Sequence, residues 1–307
     1  MNSFLKTIIP PNEVVLEIHR FLKTDFKDEQ LFLNATLKSD LPLSTDWLLN
    51  TEEKLKQSRA LIIKMPPKEN IIEHVKTHHS TVIILGQILG RLMIQNDQGQ
   101  KIIAVYDRDR HGSMNQGSRY HQTREGGTLH TDNVNVPEIW HYLFLSCISP
   151  AFVGGESILV DGIKIHSILK KEYPEVLKTL ENNYVWEMRG VSDALYEAPI
   201  ITYKKDGSVK FRHLRPYMES AHQKAEKPMT LEQLFAIDVL DALTNSTENQ
   251  ARFRLEAGDI CLSIDDQVLH GRTCFSDAIN AIDVEQFDGS NAQILKRTME
   301  RLWIQKQ

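Results

Sequence analysis

Cysteine is scarce in this chain of 307 residues: Cys147, Cys261 and Cys274 are odd in number, far apart and without a CxxC pair. That excludes a disulfide framework and a structural zinc site as the source of stability. Long apolar runs are missing too. The best stretch, TVIILGQIL at 81–89, falls far short of the roughly 20 residues that span a bilayer. Neither sign of charge dominates, with 36 Lys plus Arg against 41 Asp plus Glu. The resulting net charge of −5 gives no general grip on nucleic acid or an anionic membrane, both of which attract a basic face. It leaves room for a small basic pocket that takes an anionic metabolite. The opening MNSFLKTIIPPNEVV has one lysine and a short apolar patch cut by Pro10 and Pro11, unlike a signal peptide. Glycine and proline are dispersed, with no linker and no repeat. A cytoplasmic protein with neither membrane nor nucleic-acid partners is expected.

What is present is an ordinary globular composition, 41% apolar and 25% charged, enough to bury a sizeable core. Residues 1–59 read as a helical N-terminal part, with Val14, Val15, Ile18 and Leu22 at helical spacing in 13–26. ALIIKM (60–65) predicts a buried strand ended by Pro66 and Pro67, 83–92 a second helix, and KIIAVY (101–106) a short strand. The next stretch, 106–127, is polar, charged and glycine-containing. Loops of such length are uncommon in compact domains and are often functional. WHYLFLSCI (140–148) and SILV (157–160) predict strands, and 161–182 two helical pieces with Pro174 in a first turn. Thr230 and Gln233 have capping-box spacing before a helix. Phe253 and Leu255, then Gly258-Asp259, then Ile260, Leu262 and Ile264 have the alternation of a β-hairpin. The expected fold class is α+β with a mainly β core, a barrel or sandwich carrying helical insertions near 163–182 and 230–244.

Four motifs carry chemistry. In the extended segment Leu129-His130-Thr131-Asp132-Asn133, His130 and Asp132 at i and i+2 point the same way. Alone that is weak, because the chain has 12 histidines. The second motif, DQVLHGRTCF (266–275), puts His270 before Gly271, where a turn is expected. Two histidines and one carboxylate leave three positions open on an octahedral metal, the pattern of non-haem Fe(II) oxygenases. A hydrogen-bonded buried histidine at a strand–turn corner is the other reading of His270. The third motif, RTMERLW (297–303), places Arg297, Met299, Arg301 and Trp303 on one strand face. Two arginines in so apolar a segment each call for an anion. In the fourth, Gly154-Gly155-Glu156-Ser157, the serine hydroxyl could join an arginine in holding a carboxylate.

The ordered set HTD, GGES, LHGRTCF and RTMERLWI resembles the Fe(II)/2-oxoglutarate-dependent dioxygenases of the taurine dioxygenase, clavaminate synthase and gamma-butyrobetaine hydroxylase superfamily. The likeness runs from about Ala60 to Trp303, roughly four fifths of the chain, and is most specific in FRLEAGDICLSIDDQVLHGRTCF. It implies a double-stranded β-helix (jelly roll) over 60–307 with the site in the barrel mouth. It also implies that His130, Asp132 and His270 are the catalytic iron ligands. Arg297 matches the arginine that pairs with the 5-carboxylate of 2-oxoglutarate, and Ser157 the residue assisting it. Arg301 matches a position that in several members contacts an acidic group of the substrate; an ion pair is its other reading. The family places its cosubstrate arginine closer to the distal histidine, whereas here AINAIDVEQFDGSNAQ (278–293) intervenes. The implied cofactors are Fe(II), 2-oxoglutarate as cosubstrate and O2, with succinate and CO2 as coproducts. Halogenating relatives have Gly or Ala where Asp132 stands, so hydroxylation, or a desaturation or cyclisation, is expected.

Because these motifs must converge, 1–307 is read as a single catalytic domain. The substrate is expected to be a small polar metabolite such as an amino acid. Arg301, Arg124, Asn133 and Asp265 are its candidate contacts. Arg108, His111, Ser118, Arg119 and the segment 211–215 are candidates for the pocket mouth, and Asp266 or Glu125, like Asp265, for receiving an ammonium group. Trp140, His141 and Trp186 read as core or rim. Two other classes compete: a jelly-roll sensor that holds 2-oxoglutarate or a metal without turnover, and a zinc hydrolase with Glu156 or Glu125 as base. The hydrolase has no use for Arg297, Arg301 and Ser157.

Overall fold

The computed structural model describes residues 4–24, 33, 37–66, 71–108, 120–132, 134–137, 140–288 and 293–306. Among these, ten strands carry the fold: β1 (Leu5–Ile8), β2 (Ala60–Lys64), β3 (Arg91–Leu92), β4 (Ile102–Val105), β5 (Tyr142–Ser149), β6 (Ser157–Asp161), β7 (Gln250–Phe253), β8 (Asp259–Ile264), β9 (Val268–Arg272) and β10 (Thr298–Gln305). The larger sheet has the order β1-β2-β8-β5-β10, and both β3 and β4 pair with the outer edge of β10. Only its β1–β2 pair is parallel. In the smaller sheet β6 lies between β7 and β9, antiparallel to both.

Strand alternation decides what each face meets. Register aligns Leu61, Leu262, Phe144 and Leu302 across four strands of the larger sheet, and all four are fully buried. They pack against α1 (Asn12–Thr24), α2 (Pro42–Ser58) and α3 (Ile71–Leu89) through Ile18, Leu48, Leu55, Leu85 and Ile88. The opposite face brings Ile62, Cys261 and Met299 against Leu159 and Val268 of the smaller sheet. That sheet turns Ile158, Val160 and Leu269 outward, under α4 (Gly162–Glu172), α5 (Pro174–Leu180), α6 (Arg215–Lys224) and α7 (Leu231–Asn245). Each such aliphatic side chain contributes about 1.5–3 kcal/mol on burial. The mixed α+β architecture with a mainly sheet core is as expected.

Several local expectations hold. Pro174 opens α5, and Thr230 and Gln233 form a complete capping box at α7. Others need correction. The N-terminal part is not helical throughout, since Leu5–Ile8 forms a strand whose parallel partner β2 lies too far along the chain for local pattern to reveal. The helix expected at 83–92 runs over Ile71–Leu89, and Arg91 and Leu92 are drawn instead into edge pairing with Gln305 and Ile304. The expected hairpin at 253–264 does not close: β7 pairs with β6, whereas β8 pairs with β2 and β5. The amide of Gly258 donates to the carbonyl of Cys147 (2.8 Å), pinning the corner to β5 as the chain passes between sheets. Nor does the chain turn at Gly271, which lies inside β9. Among the described residues no helix is long and apolar enough to cross a membrane.

Leu302 is a fully buried member of the aligned apolar row, so Leu302→Ala is expected to lower the unfolding free energy by about 2–5 kcal/mol. Leu302→Met should lower it by less than about 1.5 kcal/mol. Chemical denaturation followed by tryptophan fluorescence reads both.

Candidate active site

His130, Asp132 and His270 converge at one point. His130 belongs to no strand. Its amide donates to the carbonyl of His270 (2.9 Å), and the amide of His270 donates back to that of His130 (2.8 Å). This close approach requires glycine at 271, where a Cβ would lie 2.8 Å from the carbonyl oxygen of Thr128. The next two amides are also tied: Thr131 N donates to the carbonyl of His213 (2.9 Å), and Asp132 N to Asp265 Oδ1 (3.1 Å). The three side chains are buried, and their ligand atoms lie within 4.8 Å of one another.

Hydrogen bonds settle which atoms face the common point. His130 Nδ1 lies 3.0 Å from the carbonyl oxygen of Thr128, so Nδ1 carries the proton and Nε2 keeps its lone pair. Asp132 Oδ2 accepts from Trp303 Nε1 (2.7 Å) and pairs with Arg301 Nη1 (3.1 Å). Oδ1 faces the histidines, 3.5 Å from His130 Nε2 and 3.6 Å from His270 Nε2. One carboxylate oxygen and two imidazole nitrogens, with second partners on Asp132 and His130, fit a divalent transition metal. The charge state fits as well. Burial works to raise the Asp132 carboxyl, but the Arg301 guanidinium holds it well below the usual range. Burial pushes His270 down to about 3, so it stays a neutral donor.

Two cavities flank the triad and share His121, His130, Asp132 and Arg301. The first is lined further by Ser157, Arg272, Arg297 and Met299, the second by Asn135, Leu214, Tyr217 and Trp303. Arg297 is buried and lies over the Phe275 ring, 5.1 Å from its centroid. Gly155 makes room for it, since a Cβ there would come within 2.9 Å of Arg297 Nε. The long insertion does not displace it, because the Arg297 amide donates to Asp277 Oδ1 (2.7 Å) and closes the loop at its base. Arg301 Nε donates to Gln95 Oε1 (2.9 Å), and Gln95 Nε2 in turn donates to the carbonyls of Arg301 and Lys101.

Other expected contacts lie elsewhere. Asp265 is fully buried behind the triad, where it holds the Asp132 backbone instead of meeting a substrate. Burial and then the Asp132 charge push its carboxyl well above the usual range. Arg124 pairs with Asp107 (2.5 Å), is half exposed and lines neither cavity. Asn133, His111, Ser118 and Arg119 lie outside the described residues. Arg108 lines a separate polar cavity with Glu300 and Lys101. In 211–215, Arg212 donates to the carbonyls of Val136 and Pro137, and His213 and Arg215 pair with Asp241. Only Leu214 of that segment lines a cavity at the triad. Asp266 pairs with Lys204 (2.9 Å). Trp186 is core, and Trp140 stacks on Trp303 at 4.0 Å. Gln95, Asn135 and Tyr217 were missed: they lie on separate elements and carry no spacing signal, although Asn135 stands only three positions beyond Asp132.

The depressed His270 has a consequence for stability. Its folded value lies below its unfolded value of about 6.5, so between these values the unfolded chain binds the extra proton and stability falls as pH drops. From pH 7 to pH 5 the protein in a chelator is expected to lose about 2 kcal/mol through this group. His270→Gln should remove that part of the slope in thermal melts taken across the range.

The model of the family described as "Taurine catabolism dioxygenase TauD, TfdA family" matches residues 71–286, which include the whole triad. FR-33289 synthase of Streptomyces rubellomurinus (strain ATCC 31215) is 27% identical over 226 residues, 72% of this chain and 62% of that protein. The chain thus spans less than two thirds of that relative's length. Asparagine oxygenase in complex with Fe(II), 2S,3S-3-hydroxyasparagine and succinate superposes with a TM-score of 0.70 at 12% identity, over 98% of this chain and 93% of that one. The non-heme iron oxygenase OrfP in complex with Fe and alpha-ketoglutaric acid does so with a TM-score of 0.65 at 14% identity, over 99% and 94%. At such identities these two likenesses speak for the fold; the family match covers most of the sequence, and by it the chain belongs to the TauD/TfdA family of iron- and 2-oxoglutarate-dependent oxygenases.

Proposed function

We propose that this chain hydroxylates an unactivated C–H bond of a small charged metabolite, with a free amino acid as the best-fitting class. The observation that carries the reading is the pair of cavities meeting at one buried triad, each bordered by a buried arginine. One is equipped for a cosubstrate and the other for the molecule to be oxidised. Bound by His130, Asp132 and His270, iron with 2-oxoglutarate and dioxygen supplies the oxidation of that C–H bond, with succinate and CO2 as coproducts. The chain's own residues then bind, orient and exclude water. Arg297 binds the distal carboxylate of 2-oxoglutarate, where a guanidinium makes strong charge-assisted hydrogen bonds, and the Ser157 hydroxyl adds one more. Val105, Leu145 and Met299 keep that cavity apolar elsewhere. Arg301 has Nη1 on Asp132 and Nε on Gln95, while its Nη2 is buried without a partner. That group receives the acidic end of the substrate.

The amino-acid class draws support from solved neighbours that hold 3-hydroxyasparagine or (3S)-hydroxy-L-arginine beside succinate. The facing sheets are read as the double-stranded β-helix of the family and the chain as one catalytic domain, because β9 and β10 carry the site from opposite sheets. The buried free thiols of Cys147 and Cys261 suit the reducing cytoplasm.

Anaerobic protein supplied with Fe(II) and 2-oxoglutarate is expected to develop a visible charge-transfer band, and His130→Ala or His270→Ala to abolish it. Arg297→Ala should weaken 2-oxoglutarate binding about 10- to 100-fold, the worth of a charged hydrogen bond. A screen of L-amino acids should then find oxygen-dependent succinate release. A native protein that forms no band would remove this reading.

A further inference from the structure

The second cavity contains an acceptor that the triad and the two arginines do not use. Asn135 is 2% exposed and lines this cavity with Asp132, Arg301 and Tyr217. Its Nδ2 donates to the carbonyl of Arg189 (3.3 Å), while its Oδ1 is buried without a hydrogen-bond partner. The orientation of the amide follows from that donor. Turned over, it would set oxygen against oxygen at Arg189 and leave its NH2 group unpaired instead. A buried polar atom without a partner is unfavourable and calls for an explanation. Here the backbone around Asn135 is held by other groups. The Tyr196 hydroxyl donates to the carbonyl of Val134 (2.8 Å), and Arg212 Nη1 and Nη2 donate to those of Val136 (2.7 Å) and Pro137 (2.9 Å). The segment is therefore held in place, and Asn135 keeps an unsatisfied acceptor at the cavity wall.

Arg301 supplies the complement. With Nη1 and Nε committed, its Nη2 is a buried donor without a partner. One cavity is thus bordered by one unused acceptor and one unused donor. A zwitterion answers both and brings no net charge into a buried space, where an unbalanced ion is unfavourable. An amide suits the acceptor position. A carboxylate there would be a second anion beside Asp132 and a competing metal ligand, whereas a neutral oxygen orients an N–H without either effect.

We propose that Asn135 is a specificity-determining residue that accepts a hydrogen bond from the amino group of the substrate, so that the cavity selects a small amino acid in its zwitterionic form. This rests on the oxygenase reading above and adds to it the residue that reads the amine.

The test uses the full chain loaded anaerobically with Fe(II) and 2-oxoglutarate. The L-amino acids are titrated in, each beside its deaminated acid and its 2-hydroxy acid, and the change in the charge-transfer band reports binding. In the wild type the best amino acid is expected to bind about 10-fold or more tightly than its deaminated acid. Asn135→Leu should weaken that amino acid about 10- to 100-fold, leave the deaminated acid within about two-fold, and leave the band itself intact. Asn135→Ser, which keeps a neutral acceptor, should keep part of the preference for the amine. If Asn135→Leu does not fold, Asn135→Ala carries the same expectation without the added bulk. Equal losses for amino acid and deaminated acid would overturn the proposal, as would a 2-hydroxy acid that binds as well as the amine, or a wild type indifferent to the amine. A wild type without any band instead counts against the oxygenase reading, so the two failures are told apart.

Discussion

Two reciprocal backbone hydrogen bonds, between His130 and His270, are the constraint on which the site depends. The segment from Thr128 to Asp132 has no regular structure beyond this single bridge. Its position must come from what it touches, and it touches β9 at the second ligand histidine itself. Fixing one ligand's backbone on the other removes the main freedom that a loop-borne metal ligand has. The remaining freedom is removed at Thr131 by His213 and at Asp132 by Asp265. Three consecutive amides are thus tied to three different parts of the fold, so the backbone fixes where the ligand side chains stand. Such preorganisation is what a first shell of ligands requires.

The electrostatics follow from the same arrangement. Asp132 and Asp265 are both buried, and the amide of the first donates to the side-chain oxygen of the second. Their surroundings drive the two groups apart. Arg301 holds the Asp132 carboxyl well below the usual range, whereas burial and then the Asp132 charge push that of Asp265 well above it. The centre presents Asp132 Oδ1 to the histidines, with Oδ2 occupied by Trp303 and Arg301. Asp265 holds the backbone of the ligand residue.

What the sequence disclosed and what it hid divide along physical lines. His130, Asp132, His270, Arg297 and Ser157 were legible because their residue types are chemically specific and because alternation in an extended chain aims i and i+2 together. One cavity brings all five together. Asn135, Gln95 and the role of Asp265 were hidden, since each acts through a partner distant in the chain: Arg189, Arg301 and Asp132. In the fold, amphipathic helices and caps were legible because they are local. The expected hairpin at 253–264 failed because alternation says that a strand is present but not which neighbour it takes, and Gly258 is anchored on β5 rather than on the preceding strand.

β10 shows why function and stability are inseparable here. Leu302 and Ile304 enter the core beneath the helices, while Met299, Arg301 and Trp303 face the smaller sheet and the site. A slip of one residue would exchange the two sets, burying a guanidinium among leucines and removing both donors from Asp132 Oδ2. The apolar row thus fixes the register that places Arg301 and Trp303 at Asp132. The insertion upstream is harmless for the same reason. Its ends are joined by Asp277 and Arg297, and Lys296 is paired with Asp283 (3.1 Å), so the insertion is fixed at its base. Lengthening a loop whose ends are already fixed adds only a slowly growing entropy term, whereas one residue added within β10 would change every contact that the strand makes. The sequence distance from His270 to Arg297 is therefore free to vary, and the phase of β10 is not.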